Sequence, residues 1–165
     1  MTDEPFDDPR LTVVGLLIEV HAGLIAELTA VHAEHGLAGS DFDALLRLAR
    51  SPGRSLRMSD LATQTGLSTS GVTRIVDRLE RRGLVRRDFC ATDRRSCWAV
   101  LTDAGHDALR GELPALLAVI QRRVVDPLSP AELDGLAQGL RALRDAVRPG
   151  AATTTEGEGA DHAEP

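Results

Sequence analysis

Between Ser59 and Leu101 the chain is punctuated so closely that few folds can accept it. Ser59 is placed to cap a short helix, SDLATQT, which Gly66 ends. Ser68 is placed to cap a second, TSGVTRIVDRLERR, stopped by Gly83. In that second segment Val72, Ile75, Val76 and Leu79 fall at offsets of 3, 4 and 7 from Val72, a single apolar stripe at helical spacing. Thr69, Ser70, Thr73, Arg74, Asp77, Arg78 and Arg81 occupy the polar face. Leu84 to Cys90 and Cys97 to Leu101 then read as two short strands joined by ATDRRS, a hairpin. Helix, glycine turn, helix and hairpin in that order predict a winged helix-turn-helix in a mainly α chain.

The flanks are helical by the same tests. Leu11 to about His35 carries Val14, Leu17, Leu24, Leu28 and Val31 and ends at Gly36. Ser40 or Asp41 is placed to cap a helix bearing Phe42, Leu45, Leu46 and Leu48, which stops before Pro52-Gly53. Thr102 opens a long helix to about Val125, with Leu109, Leu113, Leu116, Ile120 and Val124 on one side and a kink expected at Pro114. Ser129 or Pro130 opens the last, where Leu133, Leu136, Leu140, Leu143 and Val147 step by 3, 4, 3 and 4, a heptad seam suited to other helices. With three Phe, one Trp and no Tyr, the core must be aliphatic. No stretch approaches the roughly 18 uninterrupted apolar residues of a spanning helix, and the acidic MTDEPFDDPR is not a signal peptide. A cytoplasmic protein with no membrane partner is expected.

The net charge of -6 argues at first against a polyanionic partner, but its distribution reverses that reading. Residues 1–40 carry one Arg against seven acids, and 149–165 carry four acids and no Arg. Residues 54–97 hold ten Arg against five acids. All 19 basic residues are Arg, whose planar fork suits phosphates and guanine edges.

The second helix of the motif is the natural occupant of a DNA major groove. Ser68, Thr69, Ser70, Gly71, Thr73 and Arg74 lie at its start, where small residues permit close approach and Arg74 can fork onto a guanine. Arg78 and Arg81 lie one and two turns on, at phosphate positions. At the hairpin tip Arg94 and Arg95 are placed to reach the flanking minor groove, with Asp93 holding one of them.

The runs SDLATQTGLSTSGVTRIVDRLERRGLVRRD and DRRSCWAVLTDAG resemble the helix-turn-helix, wing and following helix of the MarR (multiple antibiotic resistance regulator) family. That family's Asp-x-Arg pair falls on Asp93 and Arg95, and its wing-closing Leu-Thr on Leu101 and Thr102. The resemblance covers about residues 40–110. It implies an obligate homodimer whose terminal helices interlock, two winged lobes on an inverted repeat of double-stranded DNA, and release by a small ligand or oxidant, usually as derepression. The implied organisation is an arm at 1–9, a dimerisation helix at 10–36, the DNA-binding domain at 40–101, dimerisation helices at 102–148 and an acidic tail at 149–165, with arm and tail expected to be disordered. Two departures stand out. Cys97 and Trp98 occupy wing-strand positions that are more often aliphatic, and the family's frequent lysines are absent.

Three forms of control are open. Cys90 and Cys97, at opposite strand ends of the hairpin, offer a redox switch. His21, His32, Glu34, His35 and His106 offer metal ligands, but in no confident spacing, so no metal or other cofactor is expected. A small organic effector, bound where the first, second and fifth helices meet the dimer interface, is the leading reading, with His21, Arg47 and His106 as candidate polar groups. Enzyme readings fail: there is no Gly-rich phosphate loop, no HExxH and no nucleophile elbow. The alternative from another class is a dimeric helical interaction protein that does not bind DNA.

Overall fold

The structure, a computed structural model, describes residues 5–89 and 97–148. Helix α1 (Pro9–Glu34) starts where Pro9 presets its first turn and the Asp8 carboxylate accepts from Arg10 N at 2.9 Å. It ends at His35, followed by Gly36 in the left-handed region at φ 67°. Only Val31 and His32 of α1 are buried, and Leu11, Val14, Leu17, Ile18, Val20 and Ile25 stand exposed. An 18-residue window of this helix has a mean hydropathy of 1.8. By length and composition α1 therefore passes for a membrane span, contrary to the expectation that no stretch comes near. That expectation counted uninterrupted apolar residues, whereas Thr12, Glu19 and His21 break the run without much lowering its average.

Helix α2 (Gly39–Arg50) is capped by Ala38, with no side-chain bond, and not by Ser40 or Asp41. The reason is that Asp41 faces inward and holds arginines of a later helix. A three-residue strand β1 (Ser55–Arg57), not foreseen, leads into α3 (Met58–Thr65). Ser59 is not the cap of α3. Arg57 takes that place without a side-chain bond, and Ser59 lies inside the helix with its hydroxyl on Asp60. Gly66 makes the turn at φ 71°, where a Cβ would be strained. Helix α4 (Thr69–Arg81) begins as expected, the Ser68 hydroxyl accepting from Gly71 N at 3.1 Å.

Strands β2 (Val85–Phe89) and β3 (Cys97–Leu101) pair antiparallel, and β1 adds to the far side of β3, giving the order β1-β3-β2. The wing is thus rooted in three strands. In register, Val85 faces Leu101, Arg87 faces Ala99 and Phe89 faces Cys97, while Leu56 faces Ala99. Val85, Leu56, Ala99 and Leu101 point into the core. Trp98 is half-buried on the other face, with the Arg57 guanidinium 5.2 Å from its ring centre.

Helix α5 (Asp103–Ile120) is tied to the end of α4 by the residue that caps it. Thr102 accepts from Gly105 N at 3.0 Å and donates its hydroxyl to the Gly83 carbonyl at 2.7 Å. A Cβ on Gly105 would run into the Leu84 carbonyl, so only glycine permits this close approach. The helix continues through Pro114 and passes into a π-helical turn at Gln121–Val125. Helix α6 (Pro130–Val147) opens with a full capping box between Ser129 and Glu132. The core lies among α2, α3, α4 and the sheet, where Leu45, Leu48, Leu61, Val72, Val76 and Leu79 are almost wholly buried. Each contributes about 1.5–3 kcal/mol of transfer free energy.

Candidate nucleic-acid interface

The core grips α4 by Val72, Ile75, Val76 and Leu79, which leaves its opposite face to solvent. Thr69, Ser70, Thr73 and Arg74 are exposed there. Ser70 Oγ lies 3.0 Å from Ser68 Oγ, and Thr73 donates its hydroxyl back to the Thr69 carbonyl at 2.8 Å. Both hydroxyls keep acceptor capacity toward solvent. Arg74 makes no hydrogen bond or ion pair among the described residues, so its five donors are open. Gly71 adopts ordinary helical φ, and a Cβ there would meet Ser68 Oγ at 3.4 Å and Leu67 Cβ at 3.5 Å, ordinary contacts. Among the described residues nothing demands glycine at this point.

The basic segment is less free than its composition suggests. Arg78, placed by the sequence at a phosphate position, is half-exposed and paired with a buried carboxylate of α2. Its Nε donates to both oxygens of Asp41 at 3.0 and 2.9 Å, and its Nη2 bonds the same carboxylate. That bond holds the Arg78 guanidinium still more firmly protonated than usual, burial opposing it weakly. Arg82 Nη1 lies 4.0 Å from the other Asp41 oxygen. Arg87 of β2 is held by Asp77 and Glu80 of α4 at 2.6 Å each, and burial, which works against its charge, is outweighed by these two carboxylates. Arg54 and Arg86 pair with Asp103 and Asp88. Arg81 remains exposed, its Nε on the Asp77 carbonyl at 3.2 Å. The open basic surface of α4 therefore comes down to Arg74 and Arg81.

Asp93, Arg94, Arg95 and Cys90 lie outside the described residues. Cys97 is a half-buried free thiol opposite Phe89. The three effector candidates are not joined to one another by any hydrogen bond or ion pair. His21 is exposed on α1, Arg47 pairs with Asp43 at 3.1 Å, and His106 is half-buried, 3.9 Å from Asp107. Of the metal candidates, His35 Nδ1 meets the Val31 carbonyl at 2.9 Å and His32 binds Glu112. No group of three or more metal-ligating side chains occurs among the described residues.

Glu112 escaped the sequence reading, and Asp41 was read there only as a candidate helix cap. Glu112 on α5 is fully buried, bonded to His32 Nδ1, with its Oε2 lacking a partner. Asp41 is 1% exposed. The only available signal was an acid set in an otherwise apolar helix face, which does not say where its partner lies.

A MarR family model matches residues 35–96, the span from the end of α1 to just before β3. The transcriptional repressor MprA of Escherichia coli K12 is 30% identical over 140 residues, which cover 85% of this chain and 79% of that protein. This chain belongs to the MarR family. Among solved MarR structures, AbsC of Streptomyces coelicolor superposes with a TM-score of 0.80 at 34% identity, covering 86% of this chain and 96% of AbsC. Sco3205 from the same organism, solved in complex with DNA, gives 0.79 at 31% identity, covering 87% and 90%. The MarR fold thus spans the terminal helices as well as the winged core, and the chain is a MarR-type transcriptional regulator.

Proposed function

We propose that the protein is a homodimeric repressor that reads an inverted repeat in double-stranded DNA with α4 and is released by a small organic effector. The observation that carries the DNA reading is the open face at the start of α4, where Arg74, without a partner among the described residues, stands beside Ser70, Thr73 and Gly71. Such an arginine, on a helix otherwise fixed in the core, is arranged for a bidentate contact with a guanine edge. Ser68 and Thr69 are at hand for the backbone, Arg81 for a phosphate, and Arg94 and Arg95 for the minor groove, with Asp93 steadying them. The DNA complex of the related Sco3205 supports this reading.

Dimerisation is supported by the apolar faces that the single chain leaves open, Leu11 to Ile25 on α1 and Leu136, Leu140, Leu143 and Val147 on α6. A soluble monomer rarely exposes so much contiguous apolar surface. A second copy of the same helices covers it, and two-fold pairing then presents two α4 helices to two half-sites. Such a dimer acts in the cytoplasm.

Effector release rests on the junction of α1, α2 and α5. There Glu112 Oε2 is a buried acceptor without a partner among the described residues, beside His32 and the Phe42 ring. The deciding experiment is selection of duplexes from a random pool by the purified protein, followed by titration of selected and scrambled duplexes at physiological salt. A palindromic site bound at least about 10³-fold more tightly than scrambled DNA supports the reading. Equal binding to both, or none to either, removes it in favour of a helical interaction protein. A thermal-shift screen of organic ligands, oxidants and zinc then sorts the effector classes.

A further inference from the structure

Among the described residues Asp41 is the one carboxylate buried against the DNA-reading helix, and it lies in the first turn of α2. Its two oxygens take the side-on fork of Arg78, and one of them lies 4.0 Å from Arg82, the residue that ends α4. Removing a carboxylate from water costs several kcal/mol unless its partners are well placed. The apolar stripe of α4 already supplies adhesion to the core, so the ion pair is not needed for that. Apolar contacts, however, are weakly directional and let a helix turn or slide by small amounts. A two-pronged guanidinium–carboxylate contact fixes both motions.

The leverage is geometric. Arg78 stands one turn beyond Arg74 on nearly the same side of α4. With side-chain tips about 5–6 Å from the helix axis, a rotation of about 15° displaces them by roughly 1.5 Å, enough to lose a bidentate base contact. On its other side the first turn of α2 is fixed by the next residue, Phe42, whose ring centre lies 4.8 Å from that of His32. Asp41 therefore sits between the α1–α5 frame and the DNA-reading helix.

We propose that Asp41 is a positioning residue for DNA recognition, orienting α4 through Arg78, and that Arg78 acts on this carboxylate and not on a phosphate. The assignment rests on α4 being the reading helix. It gives Arg78 a different task from the phosphate contact that its place in the sequence suggested.

The two roles predict opposite responses. The full-length protein and its Asp41→Asn, Arg78→Lys and Arg78→Ala variants are titrated with a duplex selected by the wild type and with a scrambled duplex, across a salt series. Positioning predicts that Asp41→Asn and Arg78→Lys each lose about tenfold or more on the selected duplex and little on the scrambled one, with the salt slope unchanged. It also predicts that Asp41→Asn combined with Arg78→Ala is no worse than Arg78→Ala alone, because both remove one contact. Asp41→Glu recovers part of the loss.

A phosphate role for Arg78 predicts the reverse and would overturn the proposal. Arg78→Ala would then flatten the salt slope by about one unit on both duplexes, Arg78→Lys would bind nearly as well as wild type, and Asp41→Asn would bind equally or more tightly. Arg78→Lys keeps the charge on a half-exposed side chain, so it reports even if Asp41→Asn lowers the thermal midpoint. If wild type itself selects no sequence, the DNA reading of α4 fails. If it selects and Asp41→Asn is silent, only the positioning role fails.

Discussion

His32 on α1 and Glu112 on α5, 80 residues apart, meet side chain to side chain in the core. Glu112 is fully buried, and His32 also lies against the Phe42 ring. A polar pair in an aliphatic interior is held by its geometry, since either member alone would be a buried polar group without compensation. We therefore expect His32→Leu and Glu112→Leu to destabilise the protein by about 3–5 kcal/mol each. The double substitution should lose much less, because it removes both desolvation costs. Urea unfolding at fixed protein concentration checks this. Additive losses would mean that the two side chains are not coupled.

Arg74 is the open donor on α4. Arg74→Ala is expected to cost about 1–3 kcal/mol on the selected operator and to relax preference at one base pair per half-site. Titration against single-base operator variants reads both effects. Equal loss on operator and scrambled DNA would reassign Arg74 to a phosphate.

The seam of α6 predicts a second response. Leu140→Glu places a carboxylate among Leu136, Leu143 and Val147, all exposed in the single chain. Sedimentation should show the dimer dissociating at protein concentrations where wild type stays paired, with operator binding lost in parallel. An unchanged dimer would place the interface elsewhere.

Glu27 of α1 accepts from Arg122 at 3.0 Å and Arg123 at 2.7 Å, beyond the end of α5. The Arg122 hydrogen bond, chiefly, holds the Glu27 carboxyl below its usual range. A lowered folded-state value gives stability that is present above the unfolded pKa of about 4.3 and fades as pH falls through the folded value. Thermal midpoints of wild type and Glu27→Gln should therefore differ at neutral pH and converge below about pH 4. A difference that persists in acid would mean that the pair contributes through packing instead.

At the other end of the described chain, Arg148 Nη2 donates to the Thr63 carbonyl at 3.2 Å, close to the Gly66 turn. The last described residue thus touches the helix-turn-helix. Deleting residues 151–165 is expected to tighten binding to scrambled duplex at low salt and to have little effect at high salt. Unaltered affinity at low salt would leave the segment without a part in DNA binding.

The winged core was legible because its signals are local. Ser68 caps α4, Gly66 turns the chain and Val72 to Leu79 mark the buried stripe, all within one stretch of sequence. Strand β1 was missed because Ser55–Arg57 offers no alternation of its own and exists through its register with β3. Ser59 misled because α3 starts one residue earlier, out of the pairing turn at Arg57. On α2, Ser40 and Asp41 looked like caps, but Asp41 answers to Arg78, 37 residues away. The same blindness hid Glu112. Composition gave the basic segment its charge, yet not which arginines Asp41, Asp77 and Glu80 had already taken.

Helix α1 leaves the ribosome before the helices that pack against it have been made. The single chain displays a helix with the length and mean hydropathy of a membrane span. Under the proposed dimer, covering that helix is second order in chains, so it stays uncovered longest where the protein is scarce.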